Sequence, residues 1–123
     1  MLIILHSRLA NTVLLYMLIM AVWGFWRFFR KQGVDGSYWG AVVIAEVLIL
    51  VQGALGVVMR FSGIIPARGW MHIIYGVVGA IGIPAVYFYT KGQDENKEML
   101  VYAAIFLFLI GIVARAVATG GTP

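Results

Sequence analysis

The 123-residue chain has no cysteine. Disulfides, thiolate metal centres, iron–sulfur clusters and covalently attached c-type haem are therefore excluded. Charge is scarce as well: nine Lys and Arg and five Asp and Glu amount to 11% of the residues. The net charge of +4 is spread over loops and helix ends. It does not form the clustered basic face that nucleic acid needs, and an anionic lipid surface is enough to account for it. What the chain has in abundance is apolar surface, with 63% hydrophobic residues and a mean hydropathy of +0.96. A domain this small leaves much of its surface outside its own core, so the excess must face lipid.

Four apolar stretches, about 2–26, 38–61, 70–90 and 99–118, each approach the roughly 20 residues that cross a bilayer core. The first lacks a basic start and a clear small-residue cleavage site, so it is expected to be a permanent helix and not a signal peptide. The expected architecture is an all-α membrane protein, one four-transmembrane-helix bundle over residues 1–123. Trp23, Trp26, Phe28 and Phe29 interleave with Arg27, Arg30 and Lys31 where the first helix ends, an aromatic belt at a water interface. Gly33, Asp35 and Gly36 mark a turn, and Pro84 predicts a kink in the third helix. The polar run 91–98 reads as a solvated loop.

Arg27, Arg30, Lys31, Lys91 and Lys97 flank the connectors after helices one and three, against Arg8, Arg60, Arg68 and Arg115 at the other end. The positive-inside rule puts the first group in the cytoplasm. Both termini are then expected outside the cytoplasmic (inner) membrane.

The chain has two histidines, His6 and His72. One histidine near an interface is ordinary. These two, however, lie a few residues into helices one and three, which run parallel, so they share one depth to within about a turn. Imidazoles at matched depth on different helices can reach one metal from opposite sides. A bare zinc or copper ion would want a third or fourth ligand, and Glu46 lies nearer the opposite surface. A porphyrin brings four nitrogens of its own, so two histidines complete its iron. Gly76 and Gly79 follow His72 on one helical face, and Gly53 and Gly56 line the matching half of helix two. They suit either a flat macrocycle or close helix packing. Arg60, Arg68 and Arg115 are the cations available for propionates, unless they simply snorkel. One haem b on His6 and His72 is the cofactor expected. Met17 and Met20 read as packing. Glu46, inside helix two, must be protonated or paired, with Tyr16 or Tyr89 as candidates.

His6-Ser7-Arg8-Leu9-Ala10, then Gln52-Gly53-Ala54-Leu55-Gly56-Val57, then His72 opening the third helix resemble one half of a haem A synthase. Those enzymes pair two four-helix units, each with two histidines holding a haem. The resemblance covers about residues 3–79. It implies His6 and His72 as axial ligands and a fourth helix packed back on the first. The family's catalytic-half glutamate, three residues before the histidine, is Ile3 here, and the extracellular cysteine pair is missing. The resemblance thus implies the cradle of the haem b half and not the synthase reaction.

The expected function is a membrane cytochrome b transferring electrons, as an accessory subunit of a respiratory or photosynthetic complex. Its loops are too short for soluble substrates, so its partners are the bilayer and other subunits or further copies of itself. Two alternatives stay open: a haem-free structural subunit, and a quinol-reactive or haem-handling membrane protein that uses Glu46.

Overall fold

The computed structural model describes residues 2–63 and 69–120, the last two by their backbone only. All regular structure among them is helical: α1 (Leu2–Phe29), α2 (Gly36–Phe61), α3 (Gly69–Thr90) and α4 (Asn96–Gly120). Each is long and apolar enough to cross a membrane, and an even number of spans returns the chain to the side it started from. The chain is a multi-pass, four-helix membrane protein.

Going round the bundle the order is α1, α2, α3, α4. α1 packs on α2 and α4, α3 packs on the same two, and α1 and α3 face each other diagonally. The α1–α4 seam is the most intimate and the α2–α3 seam the loosest. The close seam depends on Gly24, where a Cβ would lie 2.9 Å from Ala103 Cβ and 2.7 Å from the Tyr38 hydroxyl. Small residues let membrane helices approach, and the packing so gained holds them together.

The core is confined to one half of the bundle. Met17, Met20, Tyr38, Met99, Tyr102, Phe106 and Leu109 are all closed off, with Val13, Val42, Ala45 and Ile83 around them. The two methionines are packing residues, as their sequence position predicts. Tyr38 spends its hydroxyl on the Met20 carbonyl at 3.0 Å, so burying it leaves no donor stranded.

That packed half ends in a clasp between the two connectors. α1 and α3 both stop in the same way: the backbone turns left-handed at Lys31 (φ 60°) and Lys91 (φ 55°). The Gln32 N–H then donates to the Arg27 carbonyl, and the Gly92 N–H to that of Tyr87, which is the Schellman pattern. Arg27 forks onto the Gly33 carbonyl at 3.0 and 2.7 Å and pairs with Asp35 at 3.3 Å. Asp35 caps α2 by accepting from the Tyr38 N–H. Across the gap, the Val34 N–H donates to the Asp94 carbonyl at 2.8 Å. The Asn96 amide donates to the carbonyls of Phe28 and Gln32 at 3.1 and 2.9 Å. Gly33 lies so close that a Cβ would overlap the Asp94 carbonyl.

Two expectations are corrected by this arrangement. The run 91–98 is more than a solvated loop: Asn96 ties α1 to α4, and Glu98 is buried while accepting from the Glu95 N–H at 3.1 Å. That bond is half of a capping box, and it starts α4 three residues earlier than the apolar run does. α1 likewise continues three residues past Trp26, because the interfacial aromatic and basic residues are still helical.

Candidate functional site

At the other end of the bundle the packing opens. None of the described residues 2–12, 50–61, 69–78 and 110–118 is buried, a length of roughly 15 Å per helix. Their inner faces are half-covered at Leu9, Gln52, Leu55, Tyr75 and Val113. Both histidines lie in this open half.

His6 projects from the second turn of α1 and His72 from the first turn of α3. Although α1 and α3 do not pack on each other, the two rings meet across the diagonal. Their centres are 6.2 Å apart and their planes are inclined at 67°. With a metal–imidazole bond of about 2.0 Å and about 1.1 Å from nitrogen to ring centre, two histidines that shared one metal would have ring centres up to about 6.2 Å apart. The ring separation would suit such a pair.

Each ring is positioned by another helix. His72 holds its Nδ1 2.8 Å from the Ala116 carbonyl on α4. A carbonyl can only accept, so Nδ1 carries a proton; in the neutral ring this is the Nδ1–H tautomer. A backbone carbonyl on the far nitrogen is a usual second partner of a metal-binding histidine. On α2, the Gln52 amide donates to the backbone carbonyl of His6 at 2.7 Å. One turn along, a Cβ on Gly56 would stand 3.5 Å from His6 Cε1. All four helices therefore contribute at one level. Two buried polar atoms there have no partner, His6 Nδ1 and Gln52 Oε1.

Of the other sequence candidates, Gly56 does abut a histidine. Gly53 and Gly76 face open space, where an added Cβ would meet nothing within 4 Å. Gly79 packs on α4, 3.7 Å from Ile112 in the same sense. Arg60 is exposed one turn beyond Gly56, and Arg115 immediately precedes Ala116, so both are at the histidine end. Arg68 lies outside the described residues. Among the described residues no three His, Cys, Asp or Glu side chains gather into a possible ion site.

Glu46 finds neither expected partner. The Tyr16 hydroxyl donates to the Ala41 carbonyl at 2.7 Å, Tyr89 is turned outward, and Glu46 Oε1 is buried without a hydrogen bond. Sequence reasoning missed two positioning groups. Gln52 is detectable from its i, i+4 spacing to Gly56, which puts both on one face. The Ala116 carbonyl carries no side-chain signal at all.

No known protein family, curated protein or solved structure matches this chain significantly. The likeness to half a haem A synthase therefore rests on the residues quoted for it.

Proposed function

We propose that this chain is a membrane cytochrome b that binds one haem b between His6 and His72 and passes electrons. The observation that carries the proposal is the 6.2 Å approach of two imidazoles from helices that stand diagonally across the bundle. The open half-bundle around them is its necessary companion, since a macrocycle needs space that a packed core would deny. The Ala116 carbonyl orients the His72 ring through Nδ1, and Gly56 lies directly against His6. Arg60 and Arg115, at the watery end of the same half, are the cations that would hold propionates, with Arg68 a third candidate. When bound, haem ligated by two histidines supplies a one-electron couple and no open coordination position.

Electron transfer then requires a partner reaching the haem edge, either another subunit of a membrane complex or a second copy. The basic clasp end, with Arg30, Lys31, Lys91 and Lys97, faces the cytoplasm in this proposal, and the histidine end faces out of an inner membrane. Kinship with the haem b half of haem A synthases is part of the same proposal. Catalysis is not.

The test is a reduced-minus-oxidised absorption spectrum of detergent-purified protein beside His6→Ala and His72→Ala. A low-spin b-type band that either substitution abolishes is the expected result. A featureless spectrum from cells supplied with haem would reject the proposal and leave the two rings as an edge-on contact in a structural subunit.

A further inference from the structure

The outer stripe of α1 is apolar at Ile4, Leu15, Leu18 and Val22, each at least half exposed. Between Ile4 and Leu15 the same stripe turns polar. Ser7, Arg8 and Asn11 are exposed, and their i, i+3 and i+4 spacing puts them on one side of the helix. They stand outside the seams that α1 makes with α2 and α4. Thr12, beside them, returns its hydroxyl to the Arg8 carbonyl at 3.2 Å. Among the described residues, none hydrogen-bonds or pairs with the side chains of Ser7, Arg8 or Asn11.

The aromatic belt at Trp26 marks one edge of the hydrocarbon, and roughly 20 residues back, near His6, the helix reaches the other. At roughly 1.5 Å per residue, Arg8 then lies about 3 Å inside the apolar core and Asn11 about 7 Å inside. Arg8 has a stem long enough to snorkel to the headgroups. Asn11 does not, because its amide sits only two bonds from the Cα. An amide left to hydrocarbon without a partner is costly. Polar side chains on membrane helices meet that cost by bonding to a neighbouring helix. A charged, an amide and a hydroxyl side chain in adjoining positions on one outer face therefore mark a contact with protein and not with lipid.

We infer that this face of α1 docks a transmembrane helix of a different protein, one with a carboxylate level with Arg8 and a hydrogen-bonding side chain level with Asn11. Charge decides against a second copy of this chain. Its five acidic residues are Asp35, Glu46, Asp94, Glu95 and Glu98. Four of them lie in or beside the connectors at the opposite end, and Glu46 is in the packed half of α2. A copy inserted in the same orientation thus offers no carboxylate at this depth on any face. A two-fold contact would moreover set Arg8 against Arg8, a repulsion that a low dielectric strengthens. The docking does not depend on haem. Arg8 is two residues past His6, about 200° round the helix, so this face points away from the histidine site and can be altered without touching it.

The experiment places the full chain in liposomes with a donor fluorophore on Gln93→Cys, an exposed connector position in a chain that has no other cysteine. The probe is an acceptor-labelled, leucine-rich transmembrane peptide. It carries one Glu just inside each end of its apolar core and one Asn a turn deeper, so either orientation presents the pair. Saturable energy transfer to this peptide is the expected result, about tenfold weaker when Leu replaces its Glu residues. Arg8→Leu should erase that preference, Arg8→Lys should keep most of it, and Asn11→Leu should weaken binding of the Glu peptide. Changing the peptide leaves the chain itself intact, so a folding defect cannot imitate the result. Transfer that is equal for the Glu and Leu peptides, or unaltered by Arg8→Leu, overturns the inference and leaves Arg8 snorkelling to lipid phosphate. Transfer between differently labelled copies of this chain that Asn11→Leu abolishes also overturns it, because the face would then be a self-contact. A missing haem band with the peptide preference intact would sink the cytochrome proposal alone, and a normal band without that preference would sink the docking face alone.

Discussion

His72 on α3 gives its Nδ1 proton to the backbone carbonyl of Ala116 on α4, at 2.8 Å. A main-chain carbonyl cannot take up a proton or turn away, so it fixes both the tautomer and the tilt of the ring. In the proposed ligation the nitrogen used would therefore be Nε2. ¹⁵N-detected NMR of haem-free protein labelled at histidine should show residue 72 as the Nδ1–H tautomer when neutral. An Nε2–H form would contradict the geometry.

Gly24 should not tolerate alanine. Replacing a helical glycine by alanine ordinarily gains about 1 kcal/mol of helix propensity. Here the new Cβ would meet Ala103 Cβ at 2.9 Å and the Ala103 Cα at 3.1 Å, and a methyl and a backbone atom cannot swing aside. Overpacking of this kind costs about 1–3 kcal/mol, so the net sign is destabilising, and Gly24→Val should be worse. Thermal unfolding in detergent, followed by circular dichroism, would show a lowered midpoint for both. A raised midpoint for Gly24→Ala would mean that α1 and α4 can separate there at little cost.

The helix ends give the opposite sign. Lys31 and Lys91 hold left-handed conformations that a side chain resists, at roughly 1–2 kcal/mol each, and glycine adopts them freely. The extra freedom of glycine in the unfolded chain returns part of that gain, up to about 1 kcal/mol. Lys31→Gly and Lys91→Gly should therefore each stabilise by up to about 1 kcal/mol, and the pair should be near additive. Denaturation midpoints in mixed micelles would measure this. A loss of stability in both would show that the lysine chains, and not the backbone turns, hold the clasp together.

The four spans were legible in the sequence to within three residues, because a helix in lipid must be apolar along its whole length. The histidine pair was legible for a related reason: with few polar residues inside the spans, two imidazoles at matched depth stand out. The clasp was not legible. Its bonds join Asn96 to Phe28 and Gln32, and Val34 to Asp94, and most of the groups involved are main chain. Polar side chains at a membrane surface look alike in sequence whether they meet water or a neighbouring loop. The open half-bundle was hidden too, since Leu, Val and Ile serve equally for lipid-facing and core-facing positions. What distinguishes Met17 from Leu15 is the helix on the other side, and no local pattern records that.

Gln52 is the residue whose substitution should separate orientation from mere occupancy at the histidine site. Its amide nitrogen already donates to the backbone carbonyl of His6 at 2.7 Å, while its Oε1 and the Nδ1 of His6 are both buried without partners. In the proposed ligation through Nε2, Nδ1–H needs an acceptor, and Gln52 Oε1 is the spare acceptor on the side chain already bonded to residue 6. A stronger acceptor on that nitrogen makes the imidazole more basic and favours the ferric state. Gln52→Leu should raise the midpoint potential and Gln52→Glu should lower it, with the low-spin band retained in both. A differential of about 1.4 kcal/mol between the two iron states corresponds to about 59 mV for a one-electron couple, which a redox titration resolves easily. A purely structural Gln52 would give a different pattern: both variants would lose haem or stability to a similar degree, and whatever haem remained would keep the parent potential.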